Sequence, residues 1–306
     1  MVSTALPTDK WFRPFEGTRD ALPVALFRIA FFGGLALHFF PTLLWLDEAY
    51  RPGALRTMEW SEWLFVRFRH VSPGELKILS LVTMAACLCA LAGYRPRAAA
   101  AVSGAGFYAF ASFNGLHVHT LALVEAWAIL LLWAICGGGS AVLSVDARLR
   151  KEAVPAVEPG LLSGLVLYQV LLGVFFSGVE KVLAGWPWTN EMGVLFSYPK
   201  GFLVRDWVAA SAWLHGALVT RAFSWLTVLV ELGTPLGLLF RRTRIVSLVV
   251  YELFFAGIIA MLEVPPLFYC TFAAGALLAL DDDEVARARA FVERVAARVR
   301  SKRVAS

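Results

Sequence analysis

The chain has 306 residues, of which 59% are hydrophobic and 17% are charged. A soluble domain carries about a quarter charged residues, so this composition excludes an ordinary soluble enzyme and predicts a polytopic membrane protein. The formal net charge is +5, and where the basic residues lie is more informative than the total. The four cysteines fall in or beside apolar runs, without the spacing of a disulfide framework or a zinc site. We therefore predict no metal.

Eight apolar runs predict about eight transmembrane helices, because about 20 apolar residues suffice to cross a bilayer as a helix. The runs lie near residues 21–45, 75–93, 98–113, 116–135, 161–186, 222–240, 245–262 and 267–280. The predicted fold class is all-α: a polytopic membrane helix bundle with additional amphipathic surface helices. We divide the chain into an N-terminal segment at 1–20, a transmembrane domain at 21–280 and a tail at 281–306.

The basic residues predict the orientation of these spans. An even number of spans places both termini on one side, and most Lys and Arg residues lie in segments on that side. Cytoplasmic segments of membrane proteins carry an excess of Lys and Arg. The chain is therefore predicted to be a multi-pass protein of the cell (inner) membrane with both termini in the cytoplasm.

Two polar segments suit the membrane surface. Residues 46–73 mix tryptophan and phenylalanine with arginine, and residues 281–306 begin with acids and continue with an apolar stripe among arginines. The tail therefore predicts a basic amphipathic helix on an anionic cytoplasmic leaflet. Basic residues among aromatics can also bind nucleic acid, but the neighbouring spans favour a membrane. We predict membrane lipids as partners and no nucleic acid.

Charged residues inside the spans are the candidates for function, because such charges normally face protein or a water-filled cavity. Glu180 and Lys181 stand side by side near the outer end of the fifth span. Adjacent residues lie about 100° apart on a helix, so each is expected to need a partner from another helix. A structural alternative is that Lys181 extends to the interface and Glu180 belongs to an ion pair. The remaining intramembrane charges are Arg28, Glu125, Glu231 and Glu252.

Two histidines, His117 and His119, begin the fourth span. Residues two apart on a helix face nearly opposite directions, so this pair is poorly placed to bind a metal. One of them can serve as a proton-transfer group. The alternative is that it is only a loop histidine at the membrane interface. The predicted topology puts both in the same extracytoplasmic half as Lys181.

Three stretches carry a resemblance to a known family. They read LPVALFRIAFF with Arg28, NGLHVHTL with His117 and His119, and GVFFSGVEKVLAGW with Lys181. ELGTPLGLLFRRTR adds a looser match. In order and spacing, the chain resembles the HTTM family, the membrane region shared with vitamin K-dependent gamma-glutamyl carboxylase.

The resemblance implies a role for each matching residue. Lys181 would be the catalytic base that deprotonates a vitamin K-like hydroquinone, and His119, or else His117, would assist it. The cofactor would be a membrane quinone, and the substrate a secreted peptide or a lipid. The activity would be that of a carboxylase-like lyase or a quinone-dependent oxidoreductase.

Two hypotheses of other classes stay open. In a small-solute transporter, the buried glutamates and the proline-broken spans would form the pathway, although the sequence shows no inverted repeat. In a non-catalytic membrane scaffold or maturation subunit, only the helical framework would matter. The behaviour of Lys181 variants distinguishes the enzyme from both.

Overall fold

A computed structural model describes residues 15, 17–44, 73–114, 120–149, 157–189, 191–196, 204–264 and 266–305. This part of the chain is mostly helical, which confirms the predicted all-α class. One small antiparallel sheet pairs β1 (Thr18–Asp20) with β2 (Val157–Pro159). His117 and His119 lie outside the described residues.

The helices alternate with short connections along the chain. In order they are α1 (Ala21–Leu44), α2 (Pro73–Ala92), α3 (Pro96–Asn114), α4 (Thr120–Cys136), α5 (Val145–Leu149), α6 (Gly160–Leu183), α7 (Glu191–Phe196), α8 (Asp206–Ala210), α9 (Ala217–Leu239), α10 (Arg244–Met261), α11 (Pro266–Ala276) and α12 (Asp282–Ala305). Short 3-10 helices cover Ala212–His215 and Leu277–Ala279.

Four of the described helices, α1, α6, α9 and α10, are long and apolar enough to cross a membrane. Three further apolar helices, Lys77–Ala92, Val124–Cys136 and Pro266–Ala279, are shorter. Helix α3, which begins with Pro96 and Arg97 and ends with Asn114, is not among these apolar helices. The finer prediction of eight spans therefore stays a prediction.

Six helices form a closed ring of contacts. α1 packs on α2 and α11, α2 on α3, α3 on α4, α4 on α6, and α6 on α11, while α9 and α10 pack beside α6 and α11. Aromatic residues fill the ring: Trp133 of α4 is fully buried, and its ring stacks on Phe27 of α1 with centroids 5.9 Å apart. Leucines such as Leu218 and Leu253 are exposed on the outside. An extensive apolar exterior is typical of a membrane-facing surface.

One end of the bundle, named here the sheet end, holds β1, β2, the turn after α2 and the loop after α4. Arg28 is fully buried there, and its guanidinium donates hydrogen bonds to the carbonyls of Gly139 and Leu143. Glu158 of β2 accepts hydrogen bonds from the amides of Gly139 at 2.5 Å and Ala141 at 2.8 Å. Arg28 and Glu158 therefore satisfy the backbone of the 137–144 loop, and this contact gives Arg28 a structural role.

Gly93→Ala will destabilise the protein by about 3 kcal/mol, combining about 1–2 kcal/mol of backbone strain with about 1–3 kcal/mol of overpacking. Gly93 has a φ of +70°, and a Cβ there would lie 2.5 Å from Nη1 of Arg28 and against Ser144. Gly17 is the matched control: its φ is +68°, and a Cβ there meets no atom of the described chain within 4 Å. Gly17→Ala will cost about 1 kcal/mol. Thermal unfolding of both variants in one detergent measures the difference.

The helix α12 is fixed to the sheet end through its first turns. Arg244 forms ion pairs with Asp281 at 2.5 Å and Glu284 at 3.2 Å, and Arg289 pairs with Asp20 at 2.7 Å. The predicted acidic start of the tail therefore binds basic side chains of the bundle. Farther along, apolar side chains, among them Phe291, Val292 and Val295, are exposed. Docking of this stripe on a lipid surface stays a prediction.

Candidate functional site

Lys181 lies in the last turn of α6 and forms an ion pair with Glu231 of α9. Its Nζ lies 2.8 Å from Oε2 and 2.9 Å from Oε1 of Glu231, and donates a third hydrogen bond to Oγ of Ser177 at 2.7 Å. The side chains of Lys181 and Glu231 are 19% and 9% exposed. Lys181 therefore takes its partner from another helix, as the sequence predicts.

Small residues of α6 allow this close approach to α9. A Cβ built on Gly178 would lie 3.0 Å from Cβ of Glu231 and equally close to Leu232. Ser177 stands one turn before Lys181, and residues four apart share a helix face. Within the sequence S-G-V-E-K, Ser177 supplies a hydroxyl and Lys181 an ammonium on the side of Glu231. The missing side chain of Gly178 leaves room for α9.

The ion pair lies deep along α9. Lys181 is close to the end of α6, but Glu231 is near the middle of α9, roughly 20 Å from the start of that helix at about 1.5 Å per residue. α9 therefore extends well beyond the end of α6. The Lys181 ammonium is directed to the Glu231 carboxylate, and in this arrangement it does not extend to the end of the bundle.

A second hydrophobic core covers the end of α6. Buried residues of α7, α8 and the Ala212–His215 helix form it, and Trp186, Val219 and Phe223 pack against it. The Trp186 ring centroid lies 5.3 Å from Nζ of Lys181, a distance at which an ammonium is attracted to an aromatic face. Trp186 therefore links this second core to the ammonium of Lys181.

The buried face of α9 carries a row of hydroxyl residues that was not predicted from the sequence. Its members recur at helical spacing and are at most 8% exposed: Thr220, Ser224, Thr227 and Thr234, with Glu231 among them. Ser224 and Thr234 each donate to the carbonyl four residues earlier, at 3.1 and 2.7 Å. The alternating spacing of three and four residues was the signal that would have revealed this row.

Among the described residues, the other predicted acids form no ion pair with Lys181. Gln169 of α6 donates to Oε2 of Glu125 at 2.7 Å, and Gln169 precedes Lys181 by roughly 18 Å along the helix. Glu180 is exposed and forms no ion pair within the described part of the chain, so the expected partner from another helix is found for Lys181 and not for Glu180. Glu252 of α10 is half-buried, and its Oε1 has no hydrogen-bond partner among the described residues.

The structure does not describe the histidines that the sequence associates with Lys181. His117 and His119 fall within residues 115–119, which lie outside the described ranges. Their approach to Lys181 therefore stays a prediction. Among the residues that are described, no group of three His, Cys, Asp or Glu side chains is placed to hold a metal ion.

Comparison of the chain with family models, curated proteins and solved structures finds no match. The resemblance to the HTTM family therefore depends on the stretches quoted above. The site itself supports an interpretation on chemical grounds. An ammonium and a carboxylate in direct contact, largely shielded from water, can pass a proton between them and present either a neutral amine or an acid to a ligand.

Proposed function

We propose that the chain is a multi-pass membrane enzyme of the HTTM type, in which Lys181 is a catalytic base acting on a quinone-like or lipid-like cofactor. The observation that carries the proposal is the contact of Lys181 Nζ with both carboxylate oxygens of Glu231, between the two long apolar helices α6 and α9. Intramembrane charges of this kind mark functional sites more often than surface ones.

The residues around Lys181 suit a quinone of the vitamin K type. Ammonium, carboxylate and hydroxyl groups supply both donors and acceptors for its ring oxygens, and the Trp186 ring supplies a flat apolar surface. In its reduced form, such a cofactor supplies an acidic hydroxyl and reducing electrons. The remaining 19% exposure of the Lys181 side chain leaves a route of approach.

The chain's own part in the reaction is proton transfer. A protonated lysine cannot act as a base, so Lys181 must first give its proton to Glu231, whose carboxylate oxygens lie 2.8 and 2.9 Å from Nζ. Ser177 fixes the direction of Nζ through its 2.7 Å contact. Glu231 holds the proton while the neutral amine of Lys181 accepts one from the ligand.

The experiment that tests the proposal is turnover of a membrane quinone by the purified full-length chain. We expect oxidation of a vitamin K-type hydroquinone by dissolved dioxygen, followed by absorbance, to be accelerated by the protein through deprotonation of the hydroquinone, and this acceleration to be abolished in Lys181→Ala. Turnover that is equal in wild type and Lys181→Ala would contradict the proposal. Addition of a secreted peptide or a lipid extract then identifies the second substrate.

The proposal also includes eight spans with both termini in the cytoplasm. Cysteines introduced at Ser3 and Ser306 are expected to resist a membrane-impermeant thiol reagent in intact cells and to react after permeabilisation, because the basic residues cluster on that side. Ala212, exposed in the segment between the fifth and sixth predicted spans, supplies a control cysteine that labels without permeabilisation. Labelling of either terminus in intact cells would contradict this topology.

A second function, a non-catalytic scaffold, is favoured by one observation. The Lys181–Glu231 pair joins α6 to α9, and the hydroxyl residues beside it bond to their own helix. In a scaffold the pair would only hold the two helices together. Lys181→Arg separates the two functions, because arginine can maintain an ion pair but cannot act as a base.

A further inference from the structure

The outer face of α3 and α4 carries two adjoining clefts. The first, of about 690 Å³, lies at the sheet end and is lined by polar and small residues of the turns after α2 and α4. The second, of about 290 Å³, is apolar and runs between α3 and α4, with Tyr108 and Trp127 among its lining residues. Ala101 and Ala134 line both, so the clefts form one continuous groove.

Two arginines stand at the polar end of this groove. Arg97 donates from Nε to the carbonyl of Ala134 at 2.9 Å, which holds its guanidinium at the mouth. The backbone amide of Arg95 donates to Oδ2 of Asp146 at 2.9 Å, so the one carboxylate lining the cleft is engaged by the backbone. Both arginines are exposed, and neither forms an ion pair within the described ranges.

The dimensions of the groove match one leaflet of a bilayer. From Pro96 to Tyr108, α3 advances roughly 18 Å at about 1.5 Å per residue. One leaflet supplies half of an apolar core about 30 Å thick. A molecule that fills the groove therefore needs a negative head at Arg95 and Arg97 and an apolar tail that extends toward the middle of the bundle.

We propose that this groove binds one anionic phospholipid. Its phosphate lies between the guanidinium groups of Arg95 and Arg97, and one acyl chain follows Gly104 and Ala105 toward Trp127. Arginine forms paired hydrogen bonds with phosphate oxygens, and an acyl chain gains from burial against an apolar wall. The proposal rests on the membrane placement given above but not on any activity of Lys181.

The test uses the full-length chain in micelles of a zwitterionic detergent, with lipid retention measured by native mass spectrometry. We expect phosphatidylglycerol to be retained in preference to phosphatidylcholine. Arg95→Gln/Arg97→Gln will weaken retention roughly thirtyfold, since each arginine at an anionic headgroup contributes about fivefold. Arg242→Gln/Arg287→Gln removes the same charge from exposed positions outside the groove and will leave retention unchanged.

A second pair of variants tests the apolar part of the groove without changing charge. Ala105→Phe fills the groove and will reduce retention, whereas Val102→Phe adds the same ring to an exposed position of α3 outside it. Equal retention of the two lipids, or equal retention in Ala105→Phe and Val102→Phe, would overturn the proposal. So would full displacement of phosphatidylglycerol by inorganic phosphate, which would show a phosphate site without a lipid tail.

Discussion

Glu231→Leu will destabilise the protein by about 2 to 3 kcal/mol. Removing one member of a buried ion pair leaves the other charge without compensation, which costs about 3 to 5 kcal/mol when burial is complete. The loss is smaller here because the Lys181 side chain keeps 19% exposure and its hydrogen bond to Ser177. Thermal unfolding of the purified protein in a single detergent measures it as a lower melting temperature.

The double variant Lys181→Met/Glu231→Leu supplies the decisive comparison. Replacing both members by apolar residues of similar volume removes the unpaired charge, and such replacements are often neutral or stabilising. We expect the double variant to recover most of the stability lost in Glu231→Leu. Glu180→Leu is the control, because Glu180 is the exposed neighbour of Lys181, and its loss will change stability by less than about 0.5 kcal/mol. A neutral Glu231→Leu would mean that the pair does not form.

The sequence predicted the all-α class and a partner for Lys181 on another helix, because both follow from local signals. Apolar runs give helices, and a charge within such a run requires a partner. The identity of that partner was not predictable. The sequence did not rank Glu125, Glu231 and Glu252 as partners of Lys181. The choice depends on how α6 and α9 pack, and they approach closely at Gly178, where a Cβ would lie 3.0 Å from Cβ of Glu231.

The contacts of Arg28 could not be predicted from the sequence either. Its position one or two turns into an apolar run indicated an intramembrane charge of functional interest. The structure instead places its guanidinium against the backbone of the 137–144 loop, which is distant in sequence and has no local signature of binding arginine. Contacts between a side chain and a remote loop carbonyl leave no periodicity in the sequence, so pattern analysis cannot assign them.

The hydroxyl residues of α9 were predictable in principle. Thr220, Ser224, Thr227 and Thr234 repeat with the spacing that places residues on one helix face. Hydropathy alone obscured them, because threonine and serine lower the mean of an apolar helix only slightly. Among the described helices, α1, α6, α9 and α10 reach the length and hydropathy of a span, and α3 does not.

Lys181→Arg will retain the stability of the protein and lose its quinone-dependent activity. Arginine can keep contact with the Glu231 carboxylate, which lies 2.8 Å from the lysine nitrogen, so the link between α6 and α9 persists. Arginine does not release its proton in proteins, so it cannot act as the base. A positioned base contributes about 10² to 10⁴ in rate, and we expect a decrease of that order in turnover of a vitamin K-type hydroquinone.

The same substitution at Lys77 is the control, because Lys77 is exposed on α2 and has no part in the site. Lys77→Arg will keep both stability and activity. Lys181→Ala will lose activity as well, but it also leaves Glu231 without a partner, so only Lys181→Arg separates the base from the ion pair. Full activity in a stable Lys181→Arg protein would assign Lys181 to structure alone and favour the scaffold, since a catalytic lysine cannot be replaced by a permanent cation.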